Sequence, residues 1–198
     1  MSLDVYDQYI SDASSWVKSV AFWRAVLYCF AMCRRLEPDY VHFHERENWG
    51  NPALLRQAQE VIYRWLVSGQ FEEESARMLL TAIEPNIPDT EAFDDCSSAL
   101  DAISVHVYTV EAIQTRSHKQ IGFVYTIAYD RVDAAAGDAV LPEGGVNTPE
   151  AEHAIGQHPY VANELSWQRT VFASLLHGPE RNEPAILQWL STLPEGEQ

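Results

Sequence analysis

Val20-Ala21-Phe22-Trp23-Arg24-Ala25-Val26-Leu27-Tyr28-Cys29-Phe30-Ala31-Met32-Cys33 carries a single charge, Arg24. At fourteen residues it is shorter than the ~20 a membrane-spanning helix requires. Read as a helix it is apolar on nearly every side, which is how a helix surrounded by other helices reads. The predicted helix runs from Ser15 to Glu37 and ends at Pro38, whose ring removes a backbone donor. An all-α, multi-helix bundle built around this long helix is the expected fold.

Outward from it, helix follows helix and no segment alternates as a strand would. A short helix is expected over Leu3–Ala13 and another over Asp39–Glu47. Asn51-Pro52 is a start signal, because Asn caps free amides and Pro suits the first helical position; Gly69 is the matching left-handed stop. Further helices are expected over Glu72–Ile83, Glu91–Thr115, His118–Ala136, Tyr160–Leu176 and Glu183–Leu193. Gly, Pro, Ala and Glu dominate Gly137–Pro159, which therefore reads as a long loop inside one 198-residue domain.

The composition, 46% apolar with six Trp, nine Tyr and seven Phe, supports a large core. Twenty-nine acidic against thirteen basic residues give a net charge of −16. That sign repels nucleic-acid phosphates and anionic membranes, so neither is an expected partner. The first residues lack the basic and apolar runs of a signal peptide, and three cysteines without framework spacing fit a reducing compartment. A cytoplasmic location is expected.

Known chemical motifs are absent. Cys29 and Cys33, four apart on one helical face, read as small apolar residues; Cys96 could be a third metal ligand, but no His is placed as a fourth. Glu150-Ala-Glu-His153 has the spacing of a di-iron bundle motif, but such sites need it twice. His42 and His44, two apart, point to different faces of a helix, and His153 and His158 fall in the expected loop. There is no phosphate-binding glycine loop, no Gly-x-Ser-x-Gly and no His-Glu-x-x-His. No cofactor and no metal is expected. Arg24 is expected to form a buried ion pair with Asp101, in which case removing Asp101 would be strongly destabilising.

Two functions compete. The first is action through protein contacts, with a second copy or another partner. Residues 1–70 carry a net −1 and four of the six Trp, against −15 for the remainder. Aromatic enrichment with few net charges marks interface centres. Trp16 and Trp49, beside a helix start and a loop, are the candidate interface residues of a homodimer. The second is a small-molecule binder or enzyme with an inter-helix pocket near Arg24, Arg34 and His42, lined also by some of Tyr28, Arg35, Asp39 and His44. Contact is the favoured reading.

Met32-Cys-Arg-Arg-Leu-Glu-Pro-Asp-Tyr-Val-His-Phe43 resembles the hallmark of a bacterial family typified by YjaG. Trp49-Gly50, Tyr63-Arg-Trp-Leu66, Ile87-Pro-Asp89 with Phe93, and Ala99-Leu-Asp-Ala102 extend the likeness, with a fainter echo at Glu164-Leu-Ser-Trp-Gln168. It covers residues 15–115 well and the rest thinly. Arg34 departs from it, standing where the family carries an acidic residue. The resemblance implies a helical fold and a cytoplasmic location, and it brings no activity and no catalytic residues.

Overall fold

The structure is a computed structural model that describes residues 2–141 and 148–194. Among the described residues every regular element is helical: α1 (Ser2–Ser19), α2 (Phe22–Glu47), α3 (Pro52–Ser68), α4 (Glu73–Ile83), a 3-10 turn (Glu84–Asn86), α5 (Ser97–Thr115), α6 (His118–Val140), α7 (Pro149–Gly156), α8 (Pro159–Leu176) and α9 (Glu183–Ser191). None of these helices is long and apolar enough to cross a membrane. α2 packs against α3, α5, α6 and α8, and its closest partner, α5, packs in turn on α6. Nine consecutive α2 residues, Ala25 to Cys33, are buried. Burial pushes the Cys33 thiol up to about 12, so it sits there as an un-ionised apolar group.

Local chemistry explains several boundaries. Asn51 accepts a hydrogen bond from the Ala53 amide (3.1 Å) and Pro52 follows it into α3. α3 ends at Gly69, whose φ of 75° is the left-handed conformation glycine adopts without penalty. The same device, an amide-accepting cap followed by proline, starts α7 at Thr148-Pro149 and α8 at His158-Pro159.

Four expectations about boundaries are corrected; the helix expected from Glu91 begins only at Ser97. The long apolar helix does not begin at Ser15: α1 continues to Ser19, and extended backbone at Ala21 (ψ 138°) separates it from α2. Nor does Pro38 end α2, which continues to Glu47. Tyr40 and Phe43, beyond the proline, are buried. Their burial, at ~1.5–3 kcal/mol each, outweighs the ~3 kcal/mol that an internal proline costs. Finally, the expected loop from Gly137 to Pro159 is largely helix. α6 runs through Gly137 to Val140, and Ile155 of α7 packs against that glycine. Residues 142–147 of this stretch lie outside the described residues.

Candidate functional site

Within and just beyond its apolar run, α2 presents polar groups on the face that meets α1, α6 and α8. Tyr28, Arg35 and Asp39 share that face at helical spacing. Arg35 Nη1 donates to Glu164 Oε2 at 2.6 Å, across 129 residues of sequence. The Glu164 side chain is 3% exposed and that of Arg35 is 20% exposed. The Arg35 guanidinium also lies over the Trp167 ring at 4.4 Å, an arrangement that shields the pair from water.

From Glu164 the network continues inward. Its Oε1 accepts from Gln168 Nε2 at 2.8 Å, one turn along α8. Gln168 Oε1 then accepts from Tyr28 Oη at 2.8 Å and also meets the Tyr9 hydroxyl. Burial, followed by the negative charge of Glu164, pushes the Tyr9 phenol well above its ordinary value, and burial does the same to Tyr28. Both phenols therefore stay protonated and serve as donors. From Arg35 to Tyr28 each of these groups bonds its neighbour, so the string ties α1, α2 and α8 together.

Beside it, Asp39 pairs with Arg131 of α6 at 2.7 Å. Burial raises the Asp39 carboxyl, and the attraction of Arg131 offsets only part of that. Asp101 of α5 faces the same arginine. Burial pushes its carboxyl up to about 6, Arg131 opposes the shift, and Asp130 and Asp39 add to it. A second polar string crosses α2, α3 and α5. His106, fully buried, donates from Nδ1 to Ala102 O at 2.7 Å, which leaves Nε2 to accept from Gln59 at 3.1 Å. Gln59 also donates to Glu37 at 2.8 Å. Burial pushes His106 down to about 4.

The expected Arg24–Asp101 pair does not form. Arg24 Nη1 donates to the carbonyls of Leu176 (2.9 Å) and Leu175 (3.3 Å), satisfying the open C-terminus of α8. The consequence for Asp101 reverses sign. Its carboxyl is harder to ionise in the folded protein than in the unfolded chain, so the stability it contributes is complete below the unfolded value and lost as pH rises through about 6. Asp101→Asn is therefore expected to stabilise the protein at pH 7 by ~1–2 kcal/mol, after discounting for the partly solvated carboxyl. The gain should vanish near pH 4. His106 acts in the opposite sense, losing stability as pH falls from its ordinary range toward about 4. The difference in urea midpoint between wild type and variant at each pH isolates Asp101.

Other predicted site residues are dispersed. Arg34 and His42 are exposed, and Arg24 lies roughly 27 Å from His42 along α2 at 1.5 Å per residue. These three do not frame one pocket. His44 is half-buried, with Nδ1 2.9 Å from Trp49 O. Trp16 is not surface-exposed. Because α1 extends past it, its ring stacks on Phe172 (4.1 Å) and its Nε1 donates to Phe172 O. Trp49 is half-buried against Phe93 (5.1 Å) and Phe43 (5.9 Å). Among the described residues, no three His, Cys, Asp or Glu side chains converge as metal ligands. Sequence reasoning singled out Tyr28, Arg35 and Asp39 but missed Tyr9, Arg131, Glu164 and Gln168. The available signal was Glu164 and Gln168 one helical turn apart around Trp167.

Residues 13–195 match the family described as "Protein of unknown function (DUF416)". A crystal structure of a DUF416 family protein from Shewanella baltica OS155 is similar in fold, with a TM-score of 0.78 at 18% identity over 91% of this chain and 92% of that one. No curated protein matches the chain.

Proposed function

The chain belongs to the DUF416 family, and from its geometry we propose that it acts through contacts with another protein molecule rather than by catalysis. The carrying observation is the contrast between the polar seam and the surface. Arg35, Glu164, Gln168 and Tyr28 are consumed by one another, whereas Trp49, with Phe93 behind it, reaches the surface. Half-exposed aromatic side chains are what a protein interface draws on. Within the family we read the chain as YjaG-like and bacterial, acting in the cytoplasm. Three buried free thiols, Cys29, Cys33 and Cys96, support a reducing compartment.

The first partner to test is a second copy. Light scattering across micromolar concentrations is expected to give a mass rising from 22.4 kDa toward twice that value, and Trp49→Ser is expected to return it to the monomer. Trp16→Ser is not a usable interface probe, because Trp16 packs inside the monomer. A concentration-independent monomer would overturn self-association.

A further inference from the structure

The chain contains only two lysines, Lys18 and Lys119, and the fold brings both to one cavity. This space, 340 Å³ in volume, lies between the last turns of α1 and the first turns of α6. Lys18, Lys119, His118, Ser14, Thr126 and Phe123 are among its lining residues. A volume of this size sits at the small end of ligand pockets.

The sequence holds twenty-nine acidic side chains against thirteen basic ones. Six of the eleven arginines, Arg35, Arg46, Arg56, Arg64, Arg77 and Arg131, have a described carboxylate within ion-pair distance, and Arg24, Arg34, Arg116, Arg169 and Arg181 do not. No described carboxylate comes that close to Lys18 or Lys119. Around this end of the bundle stand His118, Arg116 and also Glu111, which accepts from Gln120 in the first turn of α6 at 2.8 Å. His118 touches the Phe22 ring (5.2 Å), and Arg116 lies over Phe22 (5.8 Å) and Trp65 (5.0 Å). A concave positive spot on a protein of charge −16 focuses field on whatever anion enters it.

The cavity also has an aromatic wall. Phe123 is 36% exposed, it packs at 4.8 Å on Tyr108, and the Lys119 ammonium stands 5.6 Å from its centroid. The exposed part of that ring offers apolar contact to a small ring beside it.

We propose that this cavity is a binding site for a small phosphate monoester with a ring. The phosphoryl group lies between the two ammonium groups, with the Ser14 and Thr126 hydroxyls as neutral donors, and the ring lies against Phe123. Two ammonium groups match a dianion better than a carboxylate. The site is separate from the Trp49 face and does not depend on the contact reading.

Calorimetric titration of the full chain with phenyl phosphate tests it. Saturable one-to-one binding is expected, weaker for inorganic phosphate and weaker again for benzoate. Lys18→Gln and Lys119→Gln should each weaken phenyl phosphate by about tenfold, the loss of one charge-assisted hydrogen bond. The double variant should show no saturable heat. Both lysines are exposed, so these variants are expected to fold, and Arg169→Gln, an exposed cation on α8, should bind as wild type. The proposal is overturned by any of three results: no saturation with the wild type, equal affinity in the double lysine variant, or an equal loss in Arg169→Gln. Benzoate binding as tightly as phenyl phosphate would overturn the assignment to a phosphate.

Discussion

Arg35→Met is expected to destabilise the fold by ~3–5 kcal/mol, because it leaves a buried carboxylate without its counter-charge. Glu164 is 3% exposed and its nearest cation is the Arg35 guanidinium at 2.6 Å. With Arg35 gone, the carboxylate keeps one neutral donor, Gln168. Urea denaturation at pH 7 measures the loss. Arg35→Met combined with Glu164→Gln should recover much of it, since the amide retains the shape and carries no charge. This is the behaviour of a pair whose value lies in mutual compensation rather than in net stabilisation. A loss below ~1 kcal/mol in the single variant would mean that water screens the pair as it does on a surface, and the seam would then be no structural clamp.

That clamp was only half legible. Arg35 lies in the Met32–Phe43 stretch and Glu164 and Gln168 in Glu164–Gln168, two segments that stand out in the sequence separately. Their meeting depends on α1, α2 and α8 converging, and helical periodicity does not encode which helices become neighbours. Arg24 shows the same limit from the other side. One charge in an apolar run implies a partner, and Asp101 was a reasonable carboxylate to expect. The partner is instead a set of backbone carbonyls at the end of α8, and backbone acceptors leave no trace in a sequence. By contrast, the helical class followed from the Val20–Cys33 stretch, and the Asn51-Pro52 start and Gly69 stop of α3 were readable because caps are local chemistry. Where a local rule failed, at Pro38, packing of the residues after the proline outweighed it. At Gly137–Pro159, composition pointed to a loop, yet Thr148-Pro149 in its midst is the same start signal that identified α3.

Trp65→Ala is the second substitution expected to be severe, costing ~3–5 kcal/mol in the same denaturation assay. Trp65 is 1% exposed and heads the fully buried side chains by volume. It does more than fill space, because three chain connections close on it. Phe22, where α2 begins, meets its ring edge-on at 6.0 Å. Arg116, at the turn between α5 and α6, lies over the ring at 5.0 Å, and Arg181, before α9, lies over it at 4.7 Å. Arg181 also donates to the Trp65 and Leu66 carbonyls (2.8 and 3.0 Å), closing the C-terminal turn of α3. The two guanidiniums bind the same ring, and burial together with the charge of Arg116 lowers Arg181 from its ordinary value. Their repulsion is tolerated because an indole face attracts both. Packing and cation attraction are separable here. Trp65→Phe keeps a smaller aromatic face and should lose clearly less than Trp65→Ala, while Arg116→Gln, at an exposed position, should lose only ~0.5–1 kcal/mol. If Arg116→Gln cost as much as Trp65→Ala, the indole would be acting mainly as a charge platform; the burial of its ring argues for the opposite order.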